Sequence, residues 1–166
     1  MEKLKRDSNR IDINKLKDDE NSGEDLTGGY ILKIDKTTGN VDDDLNSRNS
    51  FVSDFDPLFA STGQKIYFQY EYPDVDDITT EQRAYISDYV YQFENALISE
   101  DFEDSVNGYT AYIDVDSFID FFILNEISNN IDGYRLSTFM HKEKNEKLKM
   151  GPVWDFNIAF GNVDYC

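Results

Sequence analysis

Along residues 79–98 the apolar side chains Ile86, Val90, Phe93 and Leu97 recur at intervals of three and four, which places them on one face of an α-helix. Thr79 is followed three positions later by Gln82, a capping box in which each side chain satisfies a backbone N–H that the first helical turn leaves free. A helix is therefore predicted over 79–98, with its stripe on the core. Tyr85, Tyr89 and Tyr91 lie in the same segment, and tyrosines on a packed helix belong to the core or its rim before they belong to a ligand. A second helix is predicted to begin with Asp114 or Asp116 as N-cap. It carries Phe118, Ile119, Phe121, Phe122, Ile123, Leu124 and Ile127, is apolar nearly all round, and is expected to be central. It ends at Asn129-Asn130; these amides, with Asn125 and Glu126 before them, read equally as helix-terminal caps and as groups supporting a site.

Other stretches have a period of two. Residues 29–35 form one predicted strand, and in 65–72 Ile66, Phe68 and Tyr70 alternate with Tyr67, Gln69 and Glu71 up to Pro73. These two strands are expected to pair. Residues 134–141 alternate again, 142–147 form a charged turn, and 148–150 resume before Gly151-Pro152, which predicts a hairpin. Residues 1–27 are polar, with 18–25 a solvated loop. The stretch 36–50 contains Asp42-Asp43-Asp44 but lacks the spaced oxygens, central Gly and closing Glu of an EF-hand, so it reads as solvated surface. The sum is an α+β fold in one domain. A β-rich part with acidic loops (1–75) precedes a helical part (76–166) that carries the polar motifs.

The composition supports a real core, with 39% hydrophobic and 14% aromatic residues in a chain of 166. Its 34 acidic and 16 basic residues give a net charge of −18, which disfavours nucleic acid and anionic membrane surfaces as partners. The same charge would repel any phosphate ligand, so a phosphate site would need a metal and local lysines. No apolar run approaches the ~20 residues that span a bilayer, and no signal peptide is visible. The lone Cys166 has no partner for a disulfide or a zinc site and indicates no redox compartment.

The candidate chemistry lies in two aromatic-flanked motifs, Asn129-Asn130-Ile131-Asp132-Gly133-Tyr134-Arg135 and Gly151-Pro152-Val153-Trp154-Asp155-Phe156-Asn157. Asp132 and Asp155 are 23 positions apart, which leaves room for the predicted hairpin between them. Two carboxylates suit phosphoryl transfer, where one accepts the proton of an attacking hydroxyl and the other holds a divalent metal on the phosphates. An Asp-Gly pair is also a turn signal, with Gly supplying a positive φ. Asp155, between Trp154 and Phe156, is costly to bury without a cation or several donors. Because the second helix ends just before it, Asp132 would stand on a rigid support. Arg135 can pair with Asp132 or reach a phosphate, and His141 reads as a surface strand residue.

These blocks carry a family resemblance. Gly28-Gly29-Tyr30-Ile31-Leu32-Lys33-Ile34-Asp35, then Tyr112-Ile113-Asp114-Val115-Asp116-Ser117-Phe118, Asn125-Glu126, Asp132-Gly133-Tyr134-Arg135, Ser137-Thr138, Gly151-Pro152-Val153-Trp154-Asp155-Phe156 and Ala159-Phe160-Gly161 resemble the spore coat protein H (CotH) kinase family. The resemblance runs from about Glu2 to the end. It implies an atypical protein-kinase-like fold, and transfer of the γ-phosphoryl group of ATP to Ser or Thr of a surface or coat protein with Mg²⁺ or Mn²⁺. Asp132 would be the catalytic acid and Asp155 the metal ligand, in place of the kinase Asp-Phe-Gly aspartate. Trp154 would pack on the nucleotide base, and Arg135 would lie near the phosphates. Asn157 stands where kinases have Gly and Ser137 where they have a metal-binding Asn, so either could supply a further metal oxygen.

The resemblance further implies an internal fragment, chiefly the C-terminal lobe, since Met1 to Asp7 resembles the middle of a family member. No Gly-rich phosphate loop occurs, and Lys3 and Lys5 are lysine candidates for the phosphates only by default. Such a piece would bind ATP weakly or not at all. Family habit points to an extracytoplasmic, cell-surface or spore-associated parent. The rival reading is a non-catalytic structural or binding module of a spore coat, cell envelope or polysaccharide-degrading complex. A third, a metal-dependent glycosidase, predicts carboxylates across a sugar cleft.

Overall fold

In the chain's computed structural model, described for residues 4–37, 44–56 and 65–162, the run Tyr-Ile-Leu at the start of strand β1 (Tyr30–Ile34) is buried on both faces. This is what a continuous apolar run asks for in the middle of a sheet. β1 pairs antiparallel with β3 (Tyr67–Tyr72) on one side and β4 (Thr138–Lys142) on the other. With β2 (Ser50–Val52) and β5 (Leu148–Met150) at the edges, the five-stranded antiparallel sheet runs β2-β3-β1-β4-β5. The protein is thus α+β. Strands from both ends of the chain meet at β1.

Alternation along β1 divides the core in two. Tyr30 and Leu32 join Phe51, Phe68, Ile86, Val90, Met140 and Leu148 in the larger cluster, while Ile31 joins Leu4, Ile11, Ile13 and Phe139 on the opposite face. The larger cluster is covered by helix α1 (Thr80–Ile98), which starts at Thr79 with both bonds of the capping box formed. Ile86 and Val90 are buried as the stripe requires; Leu97 is 45% exposed, and the smaller Ala96 is the buried residue of the last turn. The Gln82 amide also donates to the Lys17 carbonyl at 2.6 Å, which fastens the N-terminal segment to the helix.

Helix α2 (Val115–Ser128) has Asp114 as N-cap, its carboxylate accepting from the Ser117 N–H at 3.0 Å. The expectation of a central helix is overturned. The buried residues of α2 are Phe121, Asn125 and Ser128, whereas Phe122 is 56% exposed and Ile127 76% exposed. Its neighbour in the sheet is the edge strand β5, so one face is covered and the opposite apolar face is not. The covered face is polar at its C-terminal end because it supports the loop described next.

The hairpin forms as β4 and β5, but pairing begins only at Thr138, since 131–135 are turns. β2, three residues long, gives no periodic signal and was not anticipated. Of the acidic segment 18–25, Glu20 and Asp25 both reach Lys144 at 3.0 Å, so it is docked on the β4–β5 turn rather than merely solvated. Asp42 and Asp43 lie outside the described residues.

Candidate functional site

α2 stops at Asn129, which takes the left-handed conformation (φ 49°), as Asn does at a helix C-terminus. Two side-chain amides then lock in series through three hydrogen bonds. Asn125 Nδ2 donates to the Phe121 carbonyl at 2.9 Å, and Asn130 Nδ2 donates to Asn125 Oδ1 at 3.0 Å, with the Asn130 N–H on the Asn125 carbonyl at 3.0 Å. Both side chains are buried, Asn125 at 2% and Asn130 at 7% exposure.

This pair is the floor of the Asp132 turn and explains Gly133. The turn signal suggested a positive φ, yet Gly133 is absent from the positive-φ glycines; instead a Cβ there would lie 2.1 Å from Asn125 Oδ1. Close approach, not backbone hand, requires the glycine. The carbonyl of Asp132 accepts from the N–H groups of Arg135 (3.0 Å) and Leu136 (2.9 Å), and the Thr138 hydroxyl donates to the Gly133 carbonyl at 3.1 Å. Asp132 is therefore fixed by α2 on one side and β4 on the other. Its carboxylate, one quarter exposed, accepts from Arg135 Nη2 at 2.5 Å. Arg135 is itself 64% exposed, so it can leave the carboxylate at little cost.

The second motif leaves β5 through Gly151, whose N–H donates to the Phe139 carbonyl at 2.8 Å. His141 Nδ1 lies 3.0 Å from the Gly151 carbonyl. Burial holds the imidazole below its usual pKa, which favours the neutral ring with Nδ1–H as donor. His141 is thus a half-buried clamp on this segment, not the surface residue expected from the pattern. Trp154 packs against the smaller core cluster, so its ring is an anchor for the segment. Asp155 has φ 59°, the left-handed region that Asp enters more readily than most residues. Ala159 is buried, and the Phe160 N–H donates to the Ser128 carbonyl at 2.6 Å, which brings this segment back onto the end of α2. Asn157 is exposed, with its carbonyl accepting from Asn162 Nδ2 at 2.6 Å. Ser137, at φ 51°, precedes β4. Lys5 is exposed, and Lys3 lies outside the described residues.

Among the described residues three buried side-chain oxygens have no hydrogen-bond partner: Glu94 Oε2, Asn130 Oδ1 and Asp155 Oδ1. Two of the three belong to the two motifs. A buried carboxylate oxygen without a donor is strongly unfavourable, and a cation is the partner that offsets it. No group of three or more His, Cys, Asp or Glu able to hold a metal occurs among the described residues. The two unpartnered oxygens in the motifs, one of a carboxylate and one of an amide, are hard donors of the type a divalent cation accepts.

The CotH kinase protein family matches residues 3–166. The chain belongs to the CotH kinase family. No curated protein matches, and neither does any solved structure. In chain order the two acids stand after α2 and after β5, with the β4–β5 hairpin between them. No helix among the described residues is long and apolar enough to cross a membrane. The residues missed by sequence reasoning are the supports. His141 gave only a surface-like signal, whereas Asn125 and Asn130 were open to either a capping or a supporting role and take the supporting one.

Proposed function

We propose that this CotH family chain carries the catalytic acid and the metal ligand of an atypical protein kinase with a kinase-like fold. Its reaction moves the γ-phosphoryl group of ATP to a Ser or Thr hydroxyl of a surface or coat protein. The observation that carries the reading is the placement of Asp132 and Asp155 at the two ends of one hairpin, joined again at Ser128 and Phe160, with Asp155 Oδ1 buried and unpartnered.

Asp132, partly exposed and within reach of solvent, would accept the proton of the acceptor hydroxyl as its oxygen bonds to phosphorus and the bond to ADP breaks. Arg135 holds that carboxylate in the resting state and is free to turn to a phosphate. Asp155 would hold Mg²⁺ or Mn²⁺, which when bound offsets phosphate charge. That compensation is needed in a chain of net charge −18. The test is transfer of labelled phosphate from ATP to a Ser/Thr-rich protein acceptor in the presence of Mn²⁺. Transfer by the wild type and its loss in Asp132→Asn supports the reading; equal incorporation by both contradicts it.

A second reading, a non-catalytic binding module, is favoured by one observation: the exposed apolar face of α2 at Phe122, Ile123 and Ile127. It requires no dependence of binding on Asp132 or Asp155.

A further inference from the structure

We propose that Asn130, through its side-chain oxygen Oδ1, is the neutral donor that completes the cation site of Asp155. The inference rests on the kinase reading of Asp155 and extends it to a residue outside both acids. Its first support is the direction of the Asn130 amide. An asparagine is readily placed with oxygen and nitrogen exchanged, so its orientation has to follow from its partners. Here they settle it. The Phe121 carbonyl can only accept, so Asn125 must present Nδ2 to it and Oδ1 to the loop. Asn125 Oδ1 can only accept in turn, so Asn130 must present Nδ2 to Asn125 and its own oxygen away from it. The unpartnered buried atom is therefore an oxygen, and an acceptor.

The second support is burial. At 7% exposure, Asn130 cannot hydrate that oxygen freely, and a buried acceptor left unpaired is unfavourable. One end of this amide is fixed by the protein and the other is left with an acceptor that no protein group fills. The third support is position. Ser128 accepts the Phe160 N–H, which ties the Asp155 segment to the same helix end from which Asn130 departs. Asp155 Oδ1 is a buried orphan as well. One carboxylate and one amide oxygen, both lacking donors, are the types of hard oxygen that Mg²⁺ and Mn²⁺ accept, and on this proposal they turn to one ion. Asn157 is exposed and carries no such signature.

The test uses Mn²⁺ alone, without nucleotide, and reads bound against free Mn²⁺ by electron paramagnetic resonance, with melting temperature measured with and without the ion. Wild type, Asp155→Asn, Asn130→Ala and Asn130→Asp are compared. The expected result is Mn²⁺ binding by the wild type, its loss in Asp155→Asn, a weakening of about tenfold or more in Asn130→Ala, and retention in Asn130→Asp. Asn130→Asp keeps an oxygen for the ion but loses the donor to Asn125, so its metal-free melting temperature should fall while its rise on adding Mn²⁺ persists. If Asn130→Ala does not fold, Asn130→Asp decides: binding retained supports the inference, and binding lost overturns it. Mn²⁺ binding that depends on Asp155 and is unchanged in Asn130→Ala overturns the role of Asn130 and leaves the kinase reading intact. No Mn²⁺ binding by the wild type in the absence of nucleotide also overturns the inference, while the kinase reading is decided separately by the phosphate-transfer assay.

Discussion

Phe160 donates its backbone N–H to the carbonyl of Ser128 at 2.6 Å, so the segment that follows Asp155 is fastened to the helix that delivers Asp132. Neither motif is held by its own sequence alone. The hairpin connects them through the chain, and this bond closes the ring, so displacement of one acid is resisted by the other's supports.

The division of labour between Asp132 and Arg135 leads to unequal mutant effects. Asp132→Asn removes the proton acceptor and is expected to lower the rate of phosphoryl transfer by about 10²-fold or more, with Mn²⁺ binding unchanged. Arg135→Ala breaks a largely exposed ion pair and should cost less than about 1 kcal/mol of stability. Kinase assays and urea unfolding of the two variants check this, and a large stability loss in Arg135→Ala would show the pair to be structural.

Gly133 is expected to tolerate no side chain while Asn125 is present. Gly133→Ala places a Cβ at 2.1 Å from Asn125 Oδ1 and should destabilise the protein by about 1–3 kcal/mol. Shortening Asn125 to Ala should itself be costly, because it strips Asn130 of its acceptor. The decisive quantity is the coupling in a double-mutant cycle measured by urea unfolding. The double variant should be more stable than the sum of the single losses allows; strict additivity would contradict a steric origin.

Lys142 gives the fold a pH signature. Its ammonium is buried among the carbonyls of Thr27 and Glu146 and the rings of Tyr89, at 4.6 Å, and Tyr85, at 5.7 Å. Burial pushes its pKa down to about 8, against an ordinary value of 10.5. Between those values the unfolded chain binds more protons than the folded one, so stability rises with pH. Burial raises the phenols of Tyr70 and Tyr89 to about 12 from 10.0, so above 10 the unfolded chain loses protons first and stability falls. Urea midpoints should therefore climb from pH 8 to a maximum near pH 10, and Lys142→Met should abolish the climb.

Much of this architecture is legible in the sequence because the signals are local. Thr79 and Gln82 announce the start of α1, Asp114 caps α2, and the charged turn between β4 and β5 separates two recognisable strands. The acids themselves stand out by their aromatic flanks. What stayed hidden depends on contacts distant in sequence. An apolar helix suggests a central position, but α2 lies beside an edge strand and buries Asn125 and Ser128 instead of Phe122 and Ile127. His141 alternates like a surface residue, yet its ring meets the Gly151 carbonyl ten residues away. Gly133 looked like a turn glycine, and only the packing of Asn125 beneath it gives its actual reason.

The most direct test of the central claim is a calorimetric titration of ATP with Mn²⁺ into the wild-type chain and into Asp155→Asn. Saturable binding that requires Mn²⁺ and disappears in Asp155→Asn is the expected result. Mn²⁺-dependent heats that are equal for the two proteins would contradict the assignment of Asp155 as the metal-holding acid.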